Sequence, residues 1–144
     1  MVDLTYTEDE LNNYRKGNYQ VFIMLPLRYL AENNLSVKDY ASFIGKTLSI
    51  TWKNHQGAPL DVKAKLIAMN YAASLAEKIT YEITEQGLEI EIHNWPHPQF
   101  MQTLKITKEM ITDFNTVWES IGEYIGLKFT QEVKETGYVL KFTK

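Results

Sequence analysis

The 144-residue chain contains no cysteine, and this absence removes several classes of site at once. Disulfides, thiolate zinc sites, iron–sulfur clusters and cysteine nucleophiles all need the missing side chain. The chain also lacks a Gly-x-Ser-x-Gly elbow, a glycine-rich phosphate loop and a His-Glu-x-x-His motif. An enzyme built on this chain would need catalytic groups that carry no local signature.

Long apolar runs and an excess of positive charge are missing as well. The longest apolar run, Val21 to Leu25, ends at Pro26 and falls far short of the ~20 residues of a membrane-spanning helix. Fifteen scattered basic residues against 18 acidic ones disfavour nucleic-acid binding. The acidic, polar start lacks the basic region of a secretory signal. We therefore expect a cytoplasmic protein without a membrane or nucleic-acid partner.

The amino-acid composition is typical of a folded globular domain. Hydrophobic residues make up 44% of the chain and charged residues 23%, close to globular averages. A chain of this length buries roughly 70% of its surface on folding, which is enough for one core. We expect a single domain over residues 1–144.

Helical start signals occur twice near the N-terminus. Thr7 and Glu10 have the spacing of a capping box, which predicts a helix that Pro26 either kinks or divides into two pieces. Ser36 and Asp39 repeat the signal for a second helix. The apolar stripe of this second helix is predicted to face the core and consists of Tyr40, Phe43, Ile44, Leu48 and Trp52.

A third helix is predicted after the turn-forming segment that ends at Pro59. Leu60, Ile67 and Tyr71 follow helical spacing, and small residues accompany them at Ala64, Ala68 and Ala72. Small side chains allow close approach of a neighbour. One hypothesis is therefore a structural or interaction protein in which this side of the helix pairs with a second copy of the chain or with another subunit.

The apolar period changes from 3.6 to 2 after Glu77. Alternation over 79–83 and 88–92, joined by a turn ending at Gly87, predicts a β-hairpin in which this glycine adopts positive φ. Residues 103–106 are expected to form a short extended piece. Thr107 then precedes one amphipathic helix closed by Gly126. A second hairpin spans 129–142, so the predicted class is α+β, with N-terminal helices followed by hairpin, helix and hairpin.

Aromatic residues of the first hairpin and the late helix suggest a ligand pocket. Tyr81, Trp95, Phe114 and Trp118 are expected to form its walls between the sheet and the helices. The alternative interpretation assigns these side chains to the core. A small, partly apolar ligand is the partner that such a pocket would take.

His93 and His97 are the candidate metal ligands, because histidine is the commonest metal ligand and both flank a proline-rich bend. They are expected near the pocket entrance, with Glu89, Glu91 or His55 as further ligands. Exposed loop histidines are the alternative interpretation. A metal-assisted enzyme using His93 and His97 is thus a third functional hypothesis, after a small-molecule-binding or sensory module and a homo-oligomerising protein.

The segments Leu35 to Trp52 and Lys78 to Lys144 resemble, in the order of their elements, the ligand-binding domains of the vinyl-reductase-like and amino-thiazoline carboxylate hydrolase-like families. The resemblance implies an apolar pocket between sheet and helices and often a homodimer. Many of these domains carry cysteines after the second strand and near the last hairpin, where this chain has 93–96 (His-Asn-Trp-Pro) and 136–138 (Thr-Gly-Tyr). It therefore implies no catalytic residue.

Overall fold

A computed structural model describes residues 4–144 of the chain. The order of elements confirms the predicted α+β class, with helices first and two hairpins later. The first half contains three α-helices and a short 3₁₀ helix: α1 (Glu8–Glu32), α2 (Val37–Ser49), the 3₁₀ helix (Ile50–His55) and α3 (Leu60–Ala73). Three further helices lie between the hairpins: α4 (Pro98–Leu104), α5 (Lys108–Asn115) and α6 (Val117–Tyr124).

The capping signals place the first two helices correctly. The Thr7 hydroxyl accepts a hydrogen bond from the Glu10 amide while the Glu10 carboxylate accepts one from the Thr7 amide, and Ser36 caps α2 through the Asp39 amide. The division of α1 at Pro26 is wrong, since α1 is one element that contains this proline. At 25 residues, α1 has enough neighbouring hydrogen bonds to absorb the single missing donor.

The four strands form one antiparallel sheet with the order β1-β2-β4-β3, made of β1 (Lys78–Ile83), β2 (Gly87–His93), β3 (Lys128–Val133) and β4 (Gly137–Thr143). Both predicted hairpins are confirmed, and the central pair β2 and β4 joins them. Alternate residues of that pair, such as Ile90 and Leu140, are fully buried under the helices. The opposite face carries charged groups, including Lys141 between Glu89 (3.6 Å) and Glu132 (3.5 Å).

Gly87 adopts the predicted positive φ, at 159°, a conformation that residues with a side chain rarely take. A Cβ atom at Gly87 would also overlap the backbone carbonyl of Phe142 on the paired strand β4. Close approach of the two strands is therefore what this glycine allows.

Two predictions for the segment between the hairpins are wrong. The first two residues of the expected extended piece at 103–106 belong to α4, and Lys105 ends that helix in the left-handed conformation. Helix α4 starts with His97 as N-cap and Pro98 in its first turn, a favourable position because proline has no amide donor to satisfy. The single late helix is divided at Thr116 into α5 and α6. The Thr116 hydroxyl bonds the Asp113 carbonyl, which helps the backbone to tighten there. Gly126 closes α6 with φ of 80°, as predicted.

Helices α2 and α6 pack closely because α2 carries Gly45 at their contact. A Cβ atom added at Gly45 would overlap the Val117 carbonyl oxygen and lie 3.3 Å from Ser120 Cβ. This contact fixes the distance between two walls of the cleft described below. Within residues 4–144, no helix combines the length and the apolar character needed to cross a membrane.

Candidate functional site

An apolar cleft of about 370 Å³ lies among the helices, between α1 on one side and α2, α3, α5 and α6 on the others. Eight of its sixteen lining residues are aromatic: Tyr19, Phe22, Tyr40, Trp52, Tyr71, Trp95, Phe114 and Trp118. Five are aliphatic, namely Ile23, Ile44, Leu48, Val117 and Ile121, and three are polar, namely Thr51, Asn70 and Ser74. None of the sixteen is charged, so the lining favours uncharged molecules.

Four aromatic rings form the continuous inner wall of the cleft. Trp118 meets Trp52 edge to face at a centroid distance of 5.8 Å and lies 6.3 Å from Tyr71. Tyr71 in turn meets Trp95 edge to face at 4.7 Å. Edge-to-face contacts of this kind hold the rings in fixed orientations, so the wall is rigid and pre-formed.

A chain of hydrogen bonds behind this wall satisfies its buried polar atoms. Trp118 Nε1 donates to the Tyr71 hydroxyl at 2.7 Å, and that hydroxyl donates to Asn115 Oδ1 at 3.3 Å. Asn115 Nδ2 continues to Gln131 Oε1 at 3.1 Å, and Gln131 Nε2 donates to the Thr112 carbonyl at 2.8 Å. The network links α3, α5, α6 and β3, and it presents apolar ring faces to the cleft.

Burial raises the pKa of Tyr71 well above the ordinary value of a tyrosine, while the hydrogen bond from Trp118 acts in the opposite direction more weakly. The Tyr71 hydroxyl therefore remains protonated at any physiological pH. Its role in the structure is that of a neutral donor and acceptor, and it is not a base.

A second buried network ties α1 to the same cleft. Trp95 Nε1 donates to Ser74 Oγ at 2.9 Å, and Gln20 Nε2 donates to the Ser74 carbonyl at 2.5 Å. Gln20 Oε1 accepts from the His97 amide at 2.8 Å. Gln20 is fully buried and uses both ends of its amide, so it fixes the position of α1 over α3 and the segment after β2.

Three of the four residues predicted as pocket walls line the cleft: Trp95, Phe114 and Trp118. Tyr81 does not. It lies on the edge strand β1 with 42% of its surface exposed and borders a shallow groove on the sheet surface with Glu82 and Glu89. The predicted alternation in β1 is correct, since Tyr81 pairs with buried Ile90 of β2. An edge strand has a neighbouring strand on one side only, so Tyr81 stays partly exposed.

The predicted location between the sheet and the helices is also wrong. No residue of the four strands is among the sixteen that line the cleft. Side chains such as Leu88, Ile92 and Phe142 are almost completely buried against the helices, so that space is filled by core packing. The cleft lies one layer further out, where helices meet helices.

The structure gives His93 and His97 contacts within the protein. His97 caps α4 with its Nδ1 accepting from the Gln99 amide at 3.2 Å, and His93 Nε2 lies 3.6 Å from a Glu91 carboxylate oxygen. No group of three or more His, Asp or Glu side chains in residues 4–144 is arranged to hold a metal ion. Neither histidine is among the sixteen residues that line the cleft.

Sequence reasoning missed the contribution of α1, α2 and α3 to the site. Of the apolar stripe predicted to face the core, Tyr40, Ile44 and Trp52 do pack against it. These three residues and Leu48 also line the cleft, whereas Phe43 is 68% exposed. No signal in the sequence identified Tyr71 as the centre of the wall.

Comparison with family models, with curated proteins and with solved structures found no match for this chain. The resemblance in element order therefore stays a prediction.

Proposed function

We propose that this protein binds a small, uncharged and largely apolar molecule in the cleft between α1 and the helices α2, α3, α5 and α6. The observation that carries the proposal is the lining itself, in which eight aromatic and five aliphatic residues surround about 370 Å³ and no charged residue takes part. Ligand sites typically span ~300–1,000 Å³ and use apolar walls with a few polar groups.

The polar groups of the cleft favour a ligand with few hydrogen-bonding atoms. Thr51 and Asn70 lie exposed at the rim, whereas the hydroxyl of Tyr71 and the indole nitrogens of Trp95 and Trp118 already have protein partners. A charged ligand would lose its hydration without gaining a counter-charge. The ligand class supported best is therefore a flat or branched neutral molecule that stacks on aromatic faces.

The three tryptophans of the chain provide a direct assay, because Trp52, Trp95 and Trp118 all line the cleft. Titration with the neutral dye N-phenyl-1-naphthylamine should give saturable energy transfer from the tryptophans at a 1:1 ratio. The anionic dye 1-anilinonaphthalene-8-sulfonate should bind more weakly, since the lining has no positive charge.

Two neighbouring residues on α2 offer a matched pair of variants. Ile44→Trp fills the cleft and should weaken dye binding by about tenfold or more, whereas Phe43→Trp adds a similar ring outside the cleft and should leave binding unchanged. Absence of saturable binding, or equal binding by both variants, would count against the proposal. Native mass spectrometry of the protein incubated with a metabolite extract then identifies the natural ligand by its mass.

A further inference from the structure

Helix α1 has a second apolar side in addition to the one that packs on the domain. The inward side buries Gln20, Met24 and Leu27 completely. The opposite side presents Leu25 with 41% and Tyr29 with 64% of their surfaces exposed, together with Phe22, which also borders the cleft and is 71% exposed. A helix that is apolar on both sides is normally buried on both sides.

The exposed side has the spacing of a helix-pairing surface. Seven residues follow one another at alternating intervals of four and three, and we call them the outer seam: Leu11, Arg15, Asn18, Phe22, Leu25, Tyr29 and Glu32. Intervals of four and three give an average period of 3.5 residues, which is the period of two helices that pack side by side. Each residue of the outer seam then lies level with one seam residue of the partner helix. The centre of the outer seam is apolar, and its charges, Arg15 and Glu32, lie on either side.

We propose that the outer seam of α1 is a homodimer interface in which α1 packs antiparallel against α1 of a second copy. A two-fold axis between Phe22 and Leu25 sets Phe22 of each copy opposite Leu25 of the other. The same axis sets Asn18 opposite Tyr29 and Arg15 opposite Glu32, because each of these pairs is centred on the same point of the helix. The interface is thus self-complementary, as a two-fold contact requires.

Charge selects the antiparallel arrangement over the parallel one. A parallel pair in register would place Arg15 against Arg15 and Glu32 against Glu32, and like charges in contact disfavour association. The antiparallel pair makes two opposite-charge contacts instead. Both side chains are available, since Arg15 is 65% exposed, Glu32 is 58% exposed, and each has a single ionic neighbour on α1, Glu8 at 4.0 Å and Arg28 at 2.7 Å.

The contact is large enough for a specific but moderate dimer. The stretch from Arg15 to Glu32 is about 27 Å long at 1.5 Å per residue. If half the circumference of a helix roughly 10–12 Å across is covered over this length, each copy buries on the order of 500 Å². The total of about 1,000 Å² lies at the lower limit of specific interfaces, so we expect dissociation constants in the micromolar range.

Sedimentation velocity across a range of concentrations tests the proposal with the full chain. The wild type should pass from the 16.8 kDa monomer to a dimer, and Leu25→Glu should weaken dimerisation by about tenfold or more. Met69→Glu on α3 introduces the same charge at another exposed apolar residue, outside the outer seam, and should leave the dimer unchanged. A wild type that stays monomeric, or a dimer that Leu25→Glu does not affect, would overturn the interface.

A charge exchange tests the antiparallel register. Arg15→Glu should weaken the dimer because two acidic residues then face each other, and the double change Arg15→Glu with Glu32→Arg should restore it to near the wild-type constant. Failure of the double change to restore dimerisation would overturn the register. Phe22 is the one residue of the outer seam that also lines the cleft. Leu25 and Arg15 do not line it, so dye binding should be retained in these variants, and loss of the dimer is thereby distinguished from loss of the cleft.

Discussion

The Tyr71 hydroxyl is the centre of the buried network behind the cleft, and removing it is the most informative single change. Tyr71→Phe keeps the ring and its contacts but deletes the acceptor of the Trp118 indole proton and the donor to Asn115 Oδ1. Trp118 and Asn115 are both buried, so neither atom recovers a partner from bulk water without rearrangement.

The cost follows from the two atoms left without partners. Each buried polar atom that loses its hydrogen bond costs about 1–3 kcal/mol, so with two such atoms we expect Tyr71→Phe to lower the free energy of unfolding by roughly 2–6 kcal/mol. With a urea m-value of about 2 kcal/mol/M, the middle of the range for small proteins, the midpoint of urea unfolding should fall by about 1–3 M. The expected loss is a large part of the ~5–15 kcal/mol that stabilises a typical domain.

Tyr40→Phe is the matched control, because Tyr40 lines the same cleft and, unlike the Tyr71 hydroxyl, its hydroxyl takes part in none of the side-chain hydrogen bonds found within residues 4–144. We expect this variant to stay within about 0.5 kcal/mol of the wild type. Urea unfolding followed by tryptophan fluorescence measures both variants under one condition. Equal stability of Tyr71→Phe and Tyr40→Phe would refute the role of the network.

Three further predictions concern the packing and charge of the fold. Gly45→Ala should lower the free energy of unfolding in urea by about 1–3 kcal/mol, because the new methyl group overlaps the Val117 carbonyl and overpacking outweighs the gain in helix propensity. An unchanged free energy would show that α2 and α6 can move apart without cost. Lys63→Met should lower the free energy of unfolding by about 1–3 kcal/mol, measured by thermal unfolding, since the Lys63 ammonium donates to the Gln56 carbonyl at 2.9 Å and the Ile125 carbonyl at 3.1 Å. Lys65→Met, on the exposed side of α3, is the control. Burial raises the pKa of Tyr71 and that of Tyr138 in the folded protein, so the unfolded chain loses these two protons at lower pH. The free energy of unfolding should therefore fall as pH rises above about 10. Urea midpoints that stay constant above pH ~10 would contradict the raised pKa values.

Local patterns predicted the elements well because they depend on neighbours in the chain. The capping residues Thr7 and Ser36 and the alternation in both hairpins were sufficient to place α1, α2 and the four strands. The break at Thr116 was not predictable, because the apolar stripe continues across it and only a side-chain hydrogen bond marks it. Helix α4 starts at Pro98, in the segment that was predicted as a proline-rich bend, because the first turn of a helix accepts proline.

The candidate site was predicted less completely because it depends on which elements become neighbours. Trp95, Phe114 and Trp118 were chosen as aromatic residues and lie together, while Tyr81 failed because its strand is at the edge of the sheet. Strand order is a long-range property that a local pattern does not contain. The apolar stripe of α2 was recognised, but periodicity does not distinguish a side that fills the core from one that lines a cleft.

The location of the ligand is best determined by a crystal structure of the protein grown with N-phenyl-1-naphthylamine. We expect density for the dye between α1 and α2, stacked on the aromatic wall formed by Trp118 and Tyr71. An empty cleft with the dye bound elsewhere on the surface, for example on the outer seam, would contradict the claim that this cleft is the binding site.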